Sequence, residues 1–451
     1  MNREKQGERK EEEEAAKKDK DGEEEAKQKT DRAEGVAIGR GTNSLITWSE
    51  QEGDPSLPSF GKDINKKNRE KWLPLRSKCL AHPPISGPDS MLLVSSGQSG
   101  FNKSLILEYH CCQAFYPGLA LSIFLELRVT TKAPSSPSSS SLRLNCGITY
   151  EGENPDEVSL DPEVNLITRV ALYVLRCHNH HAFPVECHVH IKNPIPLGRG
   201  LGSSGAAVTA GVVLGNEVGK LGLDKARMLD YCLMIERHPD NVAAALYGGF
   251  VGTYLNELKP EDLAWKEIPL SEVLPAPAGG VDTGIKPPEP PVGIGHYKKF
   301  PWAKEIKAIA IIPEFELPTA KAREVLPQTY SRADVIYNLQ RATLLPSALG
   351  QSPLDPDMIY LAMQDKVHQP YRKHLVPGLT EILSSMNPTT QPGLLGICLS
   401  GAGPTILALA TENFTQIAER IIKTFEANNV RCNWKVLEPA DDGATVVYHN
   451  N

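Results

Sequence analysis

The residues from Asn193 to Ala207, NPIPLGRGLGSSGAA, could do chemistry through their backbone as much as through their side chains. Glycines let the backbone approach a ligand closely, and Ser203 and Ser204 stand just before an apolar helical stretch. A helix that begins there presents unpaired N–H groups and a partial positive charge to whatever lies in front of it. The segment is therefore predicted to hold phosphate with few charged side chains.

Two other glycine-rich motifs fit this segment less well. A Walker A loop needs Lys and then Ser or Thr after its second glycine, and no lysine follows here. Residues 200–205 do match G-x-G-x-x-G, but the acidic residue expected about 20 positions later is absent, since residues 221–224 are predicted to connect two helices. A glycine-rich turn without a ligand remains the alternative, and the serine pair argues against it because hydroxyls can contact phosphate oxygens or a metal.

Residues 196–204 resemble the second signature of the GHMP kinases, the superfamily of galactokinase, homoserine kinase, mevalonate kinase and phosphomevalonate kinase. Residues 399–405, LSGAGPT, resemble the third signature of that superfamily. Other segments are similar to homoserine kinases of the fungal type, and they are residues 236–243 (ERHPDNVA), 248–250 (GGF), 318–323 (PTAKAR) and 370–372 (PYR). Together the resemblance covers the chain from about residue 119 to its C-terminus.

The resemblance implies an α+β protein with the two-domain GHMP kinase fold, in which a ribosomal protein S5 domain 2-like N-terminal domain precedes a ferredoxin-like C-terminal domain. It also implies that the partners are ATP, with Mg²⁺, and L-homoserine, whose hydroxyl would be phosphorylated on the way to threonine. Two alternatives stay open: another GHMP kinase acting on mevalonate or a sugar, and a catalytically impaired ligand-binding relative.

The resemblance assigns roles to individual residues. The implied ATP-binding residues are Asn165, Pro196, Gly198, Gly200, Leu201, Gly202, Ser203, Ser204 and Gly205. The hydroxyl of Ser204 and the carboxylate of Glu236 are implied to hold Mg²⁺, a hard cation that takes oxygen ligands. With Thr319 they form the implied catalytic set. The alternative for Glu236 is an ordinary pair with Arg237 or His238, and the alternative for Asn165 is a helix N-cap.

Thr319 and Arg323 are four positions apart, which places them on one face of a helical turn. Residues at the matching positions of homoserine kinases face the reacting hydroxyl and the substrate carboxylate, and Arg372 resembles the second carboxylate-binding arginine. Guanidinium groups bind carboxylates bidentately, so two of them would select an amino acid over a sterol precursor or a sugar. A solvated surface position is the alternative for each arginine.

Periodicity predicts the elements that position these residues. Alternating apolar residues over 185–191 predict a half-buried strand, a helix follows the glycine loop from about Ser204 to Val218, and Asp224 is expected to cap a helix that ends at Glu236. A strand over 119–129 and a helix over 165–175 are predicted before the loop. The second half is predicted to contain strands at 306–312, 396–399 and 406–410 and helices around 333–345, 357–364, 379–385 and 413–428.

Composition limits the remaining choices. The formal charge of −7 and the lack of a basic stripe argue against nucleic acid as a partner, and no apolar run approaches the roughly 18 residues of a membrane span. Nine cysteines without a C-x-x-C pair suit a cytoplasmic protein. A homodimer is the assembly that we consider.

The predicted domains are residues 106–272, the ATP-binding domain, and residues 298–451, joined by a Pro/Gly-rich loop at 273–297. Residues 1–105 are predicted to form a disordered, low-complexity tail, with order beginning near Leu119.

The first GHMP signature, whose Asn and Asp bind homoserine in the family, is missing before the 119–129 strand, and only Pro117 and Gly118 remain of it. We expect either that a mis-joined coding region lies upstream of Leu119, which we favour, or that the chain is an impaired kinase.

Overall fold

The computed structural model describes residues 102–109, 117–132, 142–269 and 286–449. Almost all of the predicted disordered tail (1–105) lies outside these residues. So do residues 133–141 and the first part of the predicted 273–297 loop.

Alternating burial builds the first sheet, which carries the glycine loop. In β5 (Glu186–Asn193) the side chains of Cys187, Val189 and Ile191 are buried, as the period-2 pattern predicts. The sheet has the order β12-β1-β3-β5-β4, and only β4 and β5 run parallel. Its other strands are β1 (Asn102–Tyr109), β3 (Ile123–Lys132), β4 (Cys146–Gly152) and β12 (Thr445–His449).

Strand β1 corrects the expectation that order begins near Leu119. Its residues pair with β3 along their whole length and with β12 on the other side. The predicted boundary at residue 105 therefore falls inside a strand. Strand β1 forms by pairing with segments that are distant in sequence, so its weak local periodicity could not predict it.

The single strand predicted over 119–129 is two strands. β2 (Gly118–Leu119) pairs with β6 (Phe250–Leu255), whereas β3 belongs to the first sheet. The chain leaves one sheet for the other because Ala120 N donates to Gly249 O at 2.9 Å and Ser122 N donates to Glu438 O at 2.8 Å.

A second, three-stranded sheet has the order β2-β6-β7. Strand β7 (Gly295–Phe300) begins inside the predicted 273–297 loop, so the loop ends earlier than expected. The buried carboxylate of Asp230 accepts from Gly293 N at 2.9 Å and from Ile294 N at 3.0 Å, and these bonds hold the segment in front of β7.

Four longer helices lie in the N-terminal half, and the first three follow the predicted pattern. They are α1 (Leu166–Cys177), α2 (Ser203–Gly219), α3 (Lys225–Ile235) and α4 (Pro239–Tyr247), with a short α5 (Pro260–Leu263) after β6. Asp224 caps α3 by accepting from Arg227 N at 2.7 Å. α1 and α2 pack so closely at Gly211 that a Cβ there would lie 2.4 Å from Ile167 O.

The C-terminal half is built on an antiparallel sheet with the order β11-β8-β10-β9. These strands are β8 (Lys307–Pro313), β9 (Leu394–Leu399), β10 (Ile406–Ala410) and β11 (Cys432–Leu437). Its helices are α6 (Thr319–Glu324), α7 (Arg332–Gly350), α8 (Pro356–Ala362), α9 (Gln369–Arg372), α10 (Leu379–Ser385) and α11 (Phe414–Ala427). A second hydrophobic core lies in this half.

The expected α+β class is confirmed, although the two halves are not separate in sequence, since β12 returns to the first sheet. Among the described residues, no helix combines the length and the apolar character needed to cross a membrane.

Candidate active site

A cavity of about 300 Å³ lies against the glycine loop. It extends from the N-terminus of α1 along the loop to Thr319 in α6. Among its lining residues are Tyr150, Val158, Val164, Asn165, Leu166, Pro196, Leu197, Gly198, Arg199, Gly200, Leu201, Gly202, Ser203, Ser204, Gly205, Asn241, Thr319, Gly401 and Ala402. Every predicted ATP-binding residue thus lines one cavity, together with Thr319.

The loop has left-handed backbone at Gly198, Gly200 and Gly202. Gly200 has φ +75°, and a Cβ there would lie 2.3 Å from Ser400 O, so no other residue fits without movement. Gly202 also has φ +75° and forms the N-cap of α2 with no side-chain cap hydrogen bond. The first-turn amides of α2 are therefore not capped by the side chain of the N-cap residue, and their partial positive charge faces the cavity.

The turn at residues 400–404 supports the loop from behind. Ser400 Oγ donates to Gly200 O at 2.9 Å, and Thr405 N donates to Arg199 O at 3.3 Å. Arg199 Nη1 in turn donates to Pro313 O at 3.0 Å, at the end of β8. The segment that resembles the third signature therefore folds against the glycine loop.

Ser204 lines the cavity, and its side chain contacts that of Glu236. Ser204 lies in the first turn of α2, Glu236 follows the last residue of α3, and Ser204 Oγ donates to Glu236 Oε2 at 3.3 Å. The side chain of Glu236 is fully buried, while Arg237 Nη2 donates to Leu263 O at 3.4 Å. A hydroxyl and a buried carboxylate beside the glycine loop are a donor set that fits Mg²⁺.

Thr319 and Arg323 share one face of α6, as their spacing predicts. Thr319 lines the cavity, and the guanidinium Nη2 of Arg323 contacts Nε2 of His238. Arg323 is half-buried, and burial lowers the pKa of its guanidinium, while Glu236 and Asp240 act in the opposite direction. The alternative of a solvated surface arginine is wrong for this residue.

Arg372 is almost completely buried, with 6% of its surface exposed, so the surface alternative is wrong here also. Its Nε donates to Ala322 O and its Nη1 donates to Gly401 O, both at 3.0 Å. Two of its five N–H groups are thereby committed to backbone carbonyls. Burial lowers the pKa of its guanidinium, and the nearby Arg323 lowers it further.

His238 is a site residue that sequence reasoning missed. It lies between Glu236 and α4, and burial, with Arg323 and Arg372 nearby, lowers its pKa from 6.5 to about 4. It is therefore neutral near pH 7, and its Nε2 can accept a hydrogen bond from Arg323. The two residues are 85 positions apart, so the only local signal was the position of His238 within the 236–243 block.

Asn165 caps α1, which was its alternative interpretation. Its Oδ1 accepts from Ile167 N at 3.1 Å and its Nδ2 donates to Ser159 O at 2.9 Å. The residue also lines the cavity, so capping and nucleotide contact are compatible. The cap positions the wall of the cavity formed by residues 158–166.

Residues 165–249 match the family described as GHMP kinases N terminal domain, and residues 354–427 match the one described as GHMP kinases C terminal. Over 331 residues the chain is 59% identical to the homoserine kinase of Saccharomyces cerevisiae and 52% identical to that of Schizosaccharomyces pombe. Each alignment covers 73% of this chain and 93% of the relative.

The fold is similar to the crystal structure of homoserine kinase from Cytophaga hutchinsonii, with a TM-score of 0.58. That comparison covers 79% of this chain and all of the other chain, at 22% sequence identity. It bears on the fold alone.

Proposed function

This chain belongs to the homoserine kinases of the GHMP kinase family, and we propose that it transfers the γ-phosphate of ATP to the side-chain hydroxyl of L-homoserine. The product is O-phospho-L-homoserine, which leads to threonine. The observation that carries this proposal is one cavity that is lined by the glycine loop, Ser204 and Thr319 together, with Arg323 one helical turn from Thr319.

The cavity suits ATP along its whole length. Apolar side chains from β4, the 158–166 segment and α1 would contact the adenine, and the backbone of residues 198–205 would follow the triphosphate. Because the α2 N-terminus faces the same space, its dipole would stabilise the charge that develops on the transferred phosphoryl group. Phosphoryl transfer depends mainly on such positioning and charge stabilisation.

Ser204 and Glu236 would hold Mg²⁺, which neutralises phosphate charge when it is bound. Arg323 would bind the carboxylate of homoserine, and Thr319, one helical turn away, would face the reacting hydroxyl. Arg372 would contribute its charge and its remaining N–H groups to the same carboxylate. The proposal assigns no side chain as general base.

The neutral state of His238 favours this arrangement. A protonated imidazole beside Arg323 would place a second cation against the guanidinium, whereas neutral His238 can accept from it. The contact with His238 holds Arg323 in place, and the other N–H groups of Arg323 would bind the substrate carboxylate. Two guanidinium groups at this end favour an acceptor that carries a carboxylate over a neutral sugar.

One sequence feature supports the alternative of an impaired relative. The Asn and Asp that the family's first signature would supply for the ammonium and hydroxyl of homoserine are absent from the sequence before Leu119. The structure of residues 110–116 is not described. We therefore expect ATP binding to be intact and turnover to be weak.

Turnover assays with ATP·Mg²⁺ and homoserine, mevalonate or galactose would test the proposal. Phosphorylation of homoserine above the other two acceptors supports it, and preference for mevalonate or galactose contradicts it. ATP binding without turnover of any acceptor would favour the impaired relative. We place the reaction in the cytoplasm and expect a homodimer, which mass measurement in solution would test.

A further inference from the structure

The two halves of the proposed reaction are held by different parts of the chain. The phosphate loop precedes α2, whereas Thr319 and Arg323 lie in α6, more than a hundred residues later. Phosphoryl transfer needs the acceptor oxygen in line with the γ-phosphate, and an error of about 1 Å can cost roughly a hundredfold in rate. Some contact must therefore fix α6 relative to the loop.

Arg372 makes such a contact from a buried position. Its Nε donates to the carbonyl of Ala322, the residue just before Arg323, and its Nη1 donates to the carbonyl of Gly401. One guanidinium, planar and rigid, thus joins α6 to the turn at residues 400–404. Hydrogen bonds from a charged donor are stronger than neutral ones, so these two bonds resist displacement.

The path continues from Gly401 to the phosphate loop. The neighbouring Ser400 donates from Oγ to Gly200 O at 2.9 Å, and a Cβ on Gly200 would clash with Ser400 O. The contact between turn and loop is therefore close enough that a shift of the turn would move the loop. Arg372 is connected to Gly200 through two side-chain hydrogen bonds and one turn of backbone.

The short helix that carries Arg372 is itself fixed. The side chain of Asp365, which is completely buried, accepts from His368 N at 2.9 Å and from Gln369 N at 2.5 Å. Gln369 Oε1 accepts from Leu399 N at 2.9 Å, which anchors α9 to the end of β9 next to Ser400. Arg372 consequently has little freedom to turn toward a ligand.

We propose that Arg372 is a positioning residue that ties α6 to the phosphate loop and so keeps the acceptor and the γ-phosphate in register. This inference rests on the proposed function and deepens it. It also limits the direct role of Arg372 on the substrate, because its Nε is committed to Ala322 O and a carboxylate cannot take the Nε/Nη2 edge bidentately. The Nη2 group of Arg372 would still contact the carboxylate beside Arg323.

The first test needs no acceptor. In the full chain without homoserine, Arg372→Lys and Arg372→Ala should weaken binding of a non-hydrolysable ATP analogue by about threefold or more. They should also speed amide hydrogen exchange both in residues 319–324 and in residues 198–205. A residue that only binds carboxylate would leave both measurements unchanged, and that result would overturn the proposal.

A matched variant controls for general loosening. Arg341 also donates to a backbone carbonyl, Tyr337 O, but within its own helix α7. Arg341→Ala should not change analogue binding or exchange at residues 198–205. If it has the same effect as Arg372→Ala, the effect belongs to loss of stability and the proposal fails.

The second test separates positioning from carboxylate binding. The substrate analogue 3-aminopropan-1-ol keeps the hydroxyl and the amine of homoserine and lacks its carboxylate. The loss of kcat in Arg372→Lys should persist with this analogue, whereas the defect of Arg323→Lys should disappear. Guanidinium ion added to the Arg372→Ala chain should restore part of its affinity for the non-hydrolysable ATP analogue.

Different results would contradict the positioning role of Arg372 and the proposed kinase function. If the Arg372 variants have normal kcat with 3-aminopropan-1-ol and bind the ATP analogue as tightly as the unsubstituted chain, the proposed positioning role of Arg372 is wrong. The homoserine kinase proposal would still stand. Failure of the unsubstituted chain to phosphorylate homoserine would affect the proposed function, while analogue binding and hydrogen exchange would still decide the role of Arg372.

Discussion

The proposed nucleotide half and the proposed acceptor half of the site are built on different physical principles. The proposed phosphate-binding part of the nucleotide half is one contiguous segment, residues 193–207, whose backbone amides are placed by left-handed glycines. The acceptor half is assembled from side chains, and its contacts join His238 to Arg323 and Arg372 to Gly401. Backbone sites of the first kind are readable from local sequence, and sites of the second kind depend on tertiary contacts.

This difference explains how far the sequence could predict the structure. The loop, the α2 helix and the helix spacing of Thr319 and Arg323 were predictable because each follows from a local pattern. The pairing of β1 with β3 and β12, and the return of β12 to the first sheet, were not, since pairing partners lie far apart in sequence. The second strand of the predicted 119–129 run was also missed.

The same reasoning applies to the candidate site. The committed donors of Arg372 could not be foreseen, because Ala322 and Gly401 are 50 and 29 positions away. The sequence allows Asn165 to be either a helix N-cap or an ATP-binding residue. In the structure Asn165 caps α1 and also lines the cavity. Local sequence could not decide between these two interpretations, since both depend on the same side chain.

The largest expected effect is on the nucleotide half. Gly202→Val should reduce ATP affinity by about a hundredfold or more, because a β-branched residue at φ +75° is strained and its Cβ would also approach the phosphate. Gly222→Val is the matched control, with φ +69° and nothing within 4 Å of its Cβ. Calorimetric titration would measure both, and equal ATP affinity in the two variants would show that the loop is not the phosphate site.

The next effect concerns the acceptor half and the missing first signature. Replacing residues 111–116 with a family-type segment that carries the Asn and the Asp should raise kcat/KM for homoserine at least tenfold. The reason is that an unpaired polar group in a closed site costs roughly 1–3 kcal/mol, and more if it is charged. ATP affinity should stay constant. Equal turnover of the two chains would mean that other residues already supply these contacts.

At the boundary between the two halves, Glu236→Gln should lower kcat at least tenfold, about 1.4 kcal/mol in the transition state, and raise the Mg²⁺ concentration needed for half-maximal activity. The substitution removes the charge and keeps the shape. Glu261→Gln, an exposed carboxylate on α5, is the control. If Glu236→Gln needs the same Mg²⁺ concentration for half-maximal activity as the unsubstituted chain, Glu236 has a structural role and does not hold the metal.

Arg323→Lys should act on the acceptor half alone. We expect KM for homoserine to rise about fivefold while ATP affinity changes less than twofold, because an ammonium cannot reproduce a bidentate guanidinium contact. Arg431→Lys, in an exposed pair with Glu314, controls for charge-preserving change at the surface. Parallel losses for both ligands would indicate damage to the fold, and would weaken the distinction between the two halves.

The smallest effect is a pH dependence confined to the acceptor half. The pKa of His238 is about 4 in the folded chain and about 6.5 when unfolded, so between these values the unfolded state binds more protons. The stability contributed by neutral His238 is complete above pH 6.5 and is lost progressively as the pH falls toward 4.

Between pH 6.5 and 5.5 this loss should be about 1 kcal/mol, and His238→Gln should lack it because glutamine does not titrate. Urea unfolding of both chains at several pH values would measure the difference, with His374→Gln, an exposed histidine, as the control. Subtracting the two curves removes the carboxylates that titrate in the same range. A constant difference would mean that His238 titrates alike in both states, and the contact with Arg323 would then not require a neutral imidazole.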